Sequence, residues 1–79
     1  NIYPNPTDNI LNIEFESVTE NDFSLYFIDV LGQKIMIDRI EKFKGNYTYK
    51  LDLQIFAKGI YILELSSGSE IYNKKIIRK

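Results

Sequence analysis

The chain has 79 residues with a net charge of −1, no histidine and no cysteine. A domain of this length buries only about 60–65% of its unfolded surface, so its apolar residues, eleven of them aromatic, must stabilise it without disulfides. The missing imidazole and thiolate groups exclude the usual nucleophile–base dyads and the common zinc sites. No segment approaches the ~20 consecutive apolar residues of a membrane-spanning helix.

Charge is segregated along the chain. Residues 1–33 contain six acids and no base, whereas residues 34–79 contain all ten bases. In one interpretation, acidic and basic strands lie side by side and pair across a sheet. In the other, a basic face docks on an anionic partner. The sequence favours the first interpretation and leaves the second open.

The chain opens on Tyr3-Pro4-Asn5-Pro6. Each proline fixes φ near −65°, removes a backbone donor and pushes the preceding residue towards extended geometry. Such a segment can form an edge strand or a rigid lead-in, but it cannot lie inside a helix. We therefore expect residues 1–9 to be a lead-in, with room for a short edge strand at Ile2–Tyr3, and residues 10–79 to form the β-domain.

Period-two alternation and recurrent turn signals predict an antiparallel β-sandwich without a helix. Six strands are predicted at residues 10–16, 23–30, 34–40, 47–53, 59–66 and 70–78, and Ile2–Tyr3 would make a seventh. Residues 17–22 and 41–46 are predicted to be loops, and Ile35 and Ile37 are predicted to face inward.

Two turns interrupt this pattern. Asp29–Gln33 is predicted to be a tight hairpin turn, with Gly32 in the left-handed conformation that glycine adopts without steric cost. Gln54–Lys58 lacks period two and is too short for a stable helix. We expect a turn or a single 3₁₀ turn there, with Phe56 folded back against the core.

Acidic side chains offer weak candidates for chemistry. Glu14 and Glu16 share one face of a strand, where a solvated surface is far more common than a hydrolytic carboxylate pair. Calcium ligands could start from Asp8 with its neighbouring asparagines, or from Glu20-Asn21-Asp22. Neither group has the ligand number or spacing of a calcium loop, so we predict no metal and no cofactor. The four glycines are isolated from one another, so no phosphate-binding loop is present.

Taken together, four blocks resemble the C-terminal sorting domain of cargo proteins of the type IX secretion system, also called the Por secretion system. The blocks are Tyr3-Pro4-Asn5-Pro6, Asp29-Val30-Leu31-Gly32-Gln33-Lys34-Ile35, Leu51–Leu53 with Phe56-Ala57-Lys58-Gly59-Ile60-Tyr61, and Lys75 with Lys79. Each block is weak alone, but all four occur in order and span the whole chain. The motif positions to which we assign structural roles are Tyr3, Pro4, Asn5, Pro6, Asp29, Gly32, Gly59 and Tyr61.

The resemblance implies an immunoglobulin-like sandwich of about seven strands. It also implies that residues 1–79 are one C-terminal domain that directs an upstream cargo from the periplasm across the outer membrane of a Gram-negative bacterium. A protease of the machinery then removes the domain, and the cargo is attached to the cell surface or released. Such a domain is not an enzyme, and its reading frame is expected to stop after Lys79.

The final strand is the expected recognition element. Lys74, Lys75, Arg78 and Lys79 would present positive charge to the machinery while Ile76 or Ile77 anchors the strand. Protection of an edge strand by lysines is the simpler alternative. The pI near 5.3 argues against a nucleic-acid partner.

Two other functions compete with export. A small extracellular module that binds carbohydrate or protein would need an exposed platform drawn from Tyr26, Tyr47, Tyr49 and Tyr72. A spacer between domains would need sequence beyond Lys79.

Overall fold

A computed structural model describes residues 1–4, 9–68 and 70–79. Five antiparallel strands form one sheet that curls into a half-barrel, and the described residues contain no α-helix. The strands are β1 (Ile2–Tyr3), β2 (Ile10–Ile28), β3 (Lys34–Asp52), β4 (Gly59–Ser67) and β5 (Glu70–Arg78). The all-β prediction is confirmed, whereas the immunoglobulin-like sandwich of six to seven strands is not shown.

Strands β2 and β3 form one long hairpin. Each contains two of the predicted strands, and the segments 17–22 and 41–46, predicted to be loops, lie inside them. The pairing register shifts between Ser17 and Asn21 and again between Asn21 and Phe23. Unpaired extra residues bend a strand pair and increase its twist. The polar composition of these segments therefore marks a corner in the hairpin, where we had predicted breaks between strands.

Strands β1 and β4 pair with the side of β2 that faces away from β3. Strand β1 pairs where Ile2 faces Ile13, and β4 pairs at the far end, where Ile28 faces Ile62. Strand β5 pairs with β4 over its whole length. Because the hairpin bends at its corner, both halves of β2 turn the same face towards one core.

Aliphatic and aromatic side chains fill the concave side of the sheet. The buried cluster comprises Leu11, Ile13, Leu25, Phe27, Tyr47, Leu51, Leu53, Tyr61, Leu63 and Ile76. One group of stacked and edge-on rings lies inside the corner, where the Phe15 and Phe23 ring centroids are 5.0 Å apart. A second group lies beyond it, where Phe56 folds back onto Phe27 with centroids 4.8 Å apart. The predicted packing of Phe56 is confirmed.

The segment after β3 forms the expected 3₁₀ turn, at Leu53–Ile55. The Asp52 carboxylate caps it by accepting a hydrogen bond from the Gln54 amide at 2.9 Å. Ile35 faces the core side as predicted, since it pairs with Phe27. It is nevertheless 42% exposed, because β3 is the outermost described strand there and no neighbouring strand covers it.

Candidate recognition surface

Strand β5 lies at one edge of the sheet, and β4 is the strand it pairs with in the described residues. The register is regular from Gly59 opposite Arg78 to Ser67 opposite Glu70. Successive residues therefore alternate between the concave and convex faces. Among the described strands, none pairs with the side of β5 that faces away from β4, and a strand at the edge of a sheet is a common docking site for another chain.

Ile76 anchors β5 in the core. Its side chain is fully buried, and it faces Tyr61 of β4. Ile77, on the convex face, is 37% exposed. Of the two isoleucines that the sequence offers as anchors, Ile76 therefore occupies the buried position.

Arg78 holds the end of β5 from the concave side. Its Nε donates a hydrogen bond to the Leu53 carbonyl at 3.1 Å, and its guanidinium also bonds the carbonyl of Lys79. Leu53 is fully buried at the start of the 3₁₀ turn. The sequence suggested that Arg78 presents its charge outward, but the guanidinium contacts the protein's own main chain.

The three lysines of the tail occupy different positions. Lys74 shares the concave side with Ile76 and is half-buried, whereas Lys75 is exposed on the convex side. Lys79 follows β5 and is exposed. Positive charge therefore lies on both faces of the edge strand. A partner that docks at this edge would meet cations on each side.

The hairpin-turn motif forms as the sequence predicts. The Gly32 amide donates to the Asp29 carbonyl at 3.0 Å, and Gly32 has a φ of +84°. The Asp29 carboxylate accepts hydrogen bonds from the amides of Leu31 and Gln33, each at 2.9 Å. Asp29 therefore organises the whole turn through main-chain contacts, which gives it a structural function.

Two other motif positions, Tyr3 and Tyr61, also make contacts within the protein. The Tyr3 hydroxyl donates to the Glu14 carboxylate at 2.9 Å, which raises the pKa of Tyr3. Gly59 begins β4, and the Tyr61 hydroxyl donates to the Ala57 carbonyl at 2.5 Å. Pro4 follows β1, while Asn5 and Pro6 lie outside the described residues.

The shortest ion pair among the described residues does not join the acidic first half of the chain to the basic second half. Lys34 contacts Glu64 at 2.9 Å, and its ammonium lies 4.7 Å from the centre of the Tyr26 ring. The hydrogen bond to Glu64 raises the pKa of Lys34. Both partners come from residues 34–79, so this pair ties β3 to β4 across β2.

The candidate calcium loops bring no cluster of three acids together within the described residues. Asn5 and Asp8 of the first loop lie outside those residues. In the second loop, the Asp22 carboxylate accepts a hydrogen bond from the Lys42 amide at 2.8 Å. Asn21 donates to the hydroxyl and the carbonyl of Thr19. These contacts stabilise the hairpin corner.

The four candidate tyrosines do not form one exposed platform. Tyr47 is buried and donates to the Asp38 carboxylate at 2.8 Å, and its burial is the main cause of its raised pKa. Tyr49 is half-buried and stacks on Tyr47. Tyr26 pairs with Glu64 of β4, and Tyr72 pairs with Leu65. Because Glu64 and Leu65 are adjacent and neighbouring residues of a strand point to opposite faces, Tyr26 and Tyr72 lie on opposite faces of the sheet.

A family comparison decides among these possibilities. The model of the secretion system C-terminal sorting domain family (Por_Secre_tail) matches residues 1–79. The chain belongs to this family. It is a C-terminal sorting domain of the type IX secretion system, a secretion signal for its cargo protein. A comparison with curated proteins found no significant match.

Membership in the family gives the surface its context. The sorting domain is itself non-catalytic and implies export across the outer membrane and recognition by the secretion machinery. No helix among its described residues is long and apolar enough to cross a membrane.

Proposed function

We propose that β5 is the element of the sorting domain that the secretion machinery recognises, through Lys74, Lys75, Arg78 and Lys79. The observation that carries this proposal is the position of β5 at the sheet edge, with cations on both faces and Ile76 in the core. The lysine side chains on its two faces can meet an acidic surface of the partner, and complementary charge across an interface supplies specificity and speeds association.

The four cations divide into two groups under this proposal. Arg78 positions the strand, because its guanidinium is bonded to the main chain of Leu53 and Lys79. The three lysines contact the machinery. Ion pairs at a rim change association rates and salt dependence more than they change affinity. Recognition should therefore weaken as the salt concentration rises.

The wider role follows from the family. In our proposal residues 1–79 form a single domain at the C-terminus of a longer cargo, whose activity lies upstream. A protease of the machinery removes the domain after export, and the cargo stays on the surface of a Gram-negative bacterium or enters the medium. The machinery is thus the partner of this domain, and neither a cofactor nor a nucleic acid takes part.

We also propose that the half-barrel is a bent form of the two-layered sandwich that the sequence predicts. In this form the register shifts near Ser17 and Phe23 would bend one half of the β2–β3 hairpin over the other. Side chains of both halves, such as Leu11 and Leu25, share one core. Amide hydrogen exchange tests this proposal. Slow exchange on both sides of the corner, with rapid exchange at residues 18–20, would support two layers. Uniformly slow exchange through the corner would contradict a two-layered fold.

The recognition proposal is tested by reversing charge without disturbing the core. Lys74→Glu, Lys75→Glu and Lys79→Glu are combined in a cargo that carries the domain, and surface delivery is measured in a host with the type IX system. Lys42→Glu, Lys44→Glu and Lys50→Glu, which reverse three lysines of β3, form the matched control. We expect the tail variant to accumulate in the periplasm and the control to be delivered.

Thermal unfolding separates recognition from folding in this experiment. The control should unfold within a few degrees of the wild type, because exposed charge substitutions usually change stability by less than about 0.5 kcal/mol each. The tail variant should lose more stability, since Lys74 is half-buried, but should remain folded at the temperature of the delivery assay. Normal delivery of a folded tail variant would overturn the proposal.

A further inference from the structure

Exposed aliphatic side chains gather at one end of the half-barrel, away from the corner. Val30 and Leu31 at the β2–β3 turn are 77% and 86% exposed, and Ile60 is 47% exposed. Val30, Leu31 and Ile60 line one shallow hollow of about 190 Å³ together with Lys58. Ile77 faces Ile60 across the β4–β5 pair. We call Val30, Leu31, Ile60 and Ile77 the tip patch.

The turn that carries Val30 and Leu31 is held by hydrogen bonds to Asp29. The amides of Leu31, Gly32 and Gln33 all donate to Asp29, two to its carboxylate and one to its carbonyl. Transfer of a main-chain amide from water into hydrocarbon costs several kcal/mol when the amide has no hydrogen-bond partner. These three amides would avoid that cost, because each already has a partner within the turn.

The charge around the tip patch is mainly positive. Lys58 lines the same hollow, and Lys79 follows Arg78, which faces Gly59 at the start of β4. Asp29 is the acid that lines the hollow, and its carboxylate accepts two of the turn amides. Projecting aliphatic side chains with a basic rim suit an anionic, deformable surface better than a preformed protein pocket.

We infer that the tip patch binds the interface of an anionic lipid membrane, with Val30 and Leu31 inserted among the headgroups and Lys58 on the lipid phosphates. This surface shares Lys79 with the proposed recognition element, but its binding to lipid does not require the machinery. It holds the folded domain against a membrane surface and includes no membrane-spanning segment. The half-barrel would stand on the membrane by the end that also carries the last residues of β5.

The test measures binding of the 79-residue protein to vesicles by co-sedimentation. Vesicles of phosphatidylcholine with phosphatidylglycerol are compared with vesicles of phosphatidylcholine alone. We expect binding to the anionic vesicles, weaker binding to the neutral ones, and a loss of about tenfold or more in Val30→Ser/Leu31→Ser, since two aliphatic side chains no longer leave water. Lys58→Glu should weaken binding and reduce its salt dependence.

The matched control is Val18→Ser/Ile71→Ser. These side chains are 75% and 61% exposed, but they lie at the opposite end of the domain, near the β4–β5 turn and the hairpin corner. The control should bind anionic vesicles as well as the wild type does. Equal loss in both double variants, or no binding by the wild type, would overturn the inference.

A protein partner is a distinguishable outcome. If wild-type protein does not bind vesicles while Val30→Ser/Leu31→Ser blocks export, the tip patch contacts the machinery and the lipid inference is wrong. The vesicle experiment contains no secretion machinery. Its failure therefore leaves the proposed role of β5 unaffected, and failure of the charge-reversal experiment likewise leaves lipid binding unaffected.

Discussion

The Nε atom of Arg78 donates a hydrogen bond to the main-chain carbonyl of Leu53, 3.1 Å away, although the two residues are 25 positions apart. This contact joins the end of β5 to the 3₁₀ turn that leads into β4. It makes Arg78, a residue of the proposed recognition element, part of the fold. Variants of this tail must therefore be separated into those that change recognition and those that change folding.

The first prediction concerns this hydrogen bond. Arg78→Ala should lower the free energy of unfolding by about 1–3 kcal/mol, because a charge-assisted hydrogen bond to a buried residue is lost. Lys79→Ala removes a neighbouring cation that is exposed and should change the free energy by less than about 0.5 kcal/mol. Urea unfolding measures both values. Equal stability of Arg78→Ala and the wild type would show that the contact does not hold β5.

The second prediction concerns the anchor of β5. Ile76→Ala should destabilise the domain by about 2–5 kcal/mol, because it leaves a cavity in a fully buried position. Ile77→Ala deletes the same atoms from a side chain that is 37% exposed, so its loss should be clearly smaller. Denaturant unfolding of the pair provides the comparison. Similar losses would contradict the assignment of Ile76 to the core.

Removal of the whole tail is a poor test of recognition for the same reason. Deleting residues 72–79 removes Ile76 and Arg78 as well as the three lysines. The remaining domain loses the neighbour of β4 and part of its core. A failure of export could then come from unfolding alone.

The third prediction concerns pH. Burial, with the hydrogen bond to Asp38, raises the pKa of Tyr47 above its ordinary value of about 10. The unfolded chain therefore releases this proton at a lower pH than the folded domain does. The contribution to stability is complete below about pH 10 and is lost as the pH rises from there towards the folded-state pKa.

Tyr47→Phe isolates that contribution. Unfolding free energies of the wild type and the variant, measured from neutral to alkaline pH, should converge above about pH 10 because only the wild type loses the Tyr47 term. Tyr72→Phe, at a position that is 56% exposed, is the control and should leave the alkaline slope unchanged. Parallel curves for Tyr47→Phe and the wild type would contradict the prediction.

The fourth prediction concerns the β2–β3 turn. Asp29→Ala removes the acceptor of the Leu31 and Gln33 amides and should cost about 1–3 kcal/mol of stability. Asp29→Asn keeps an acceptor oxygen and should cost less. Gly32→Ala places a Cβ at a φ of +84° and should cost about 1–2 kcal/mol. Thermal unfolding would contradict this account if Asp29→Ala were as stable as the wild type.

The alternation of apolar and polar residues, with the turn residues, is sufficient to predict most of the secondary structure. Alternation places Leu11, Ile13, Leu25 and Phe27 in the core, because side chains on one face of a strand repeat every two residues. The hairpin turn at Gly32 was predictable from the steric freedom of glycine. These features depend on neighbours in sequence, so the sequence carries them directly.

The features that depend on distant contacts were not predictable. The polar segment 17–22 has the composition of a loop, but pairing with β3 keeps it within β2. The exposure of Ile35 follows from its place at the sheet edge, which period-two alternation does not encode. The sequence alone suggests an outward charge at Arg78, because nothing near it in sequence indicates the Leu53 carbonyl.

The most direct test of the central claim is delivery of a reporter by the domain. Residues 1–79 are fused to the C-terminus of a reporter that is exported to the periplasm, in a host with a working type IX system and in the same host with that system inactivated. The account predicts that the reporter reaches the cell surface or the medium only when the system works. Retention in the periplasm of both hosts, or equal release from both, would contradict it.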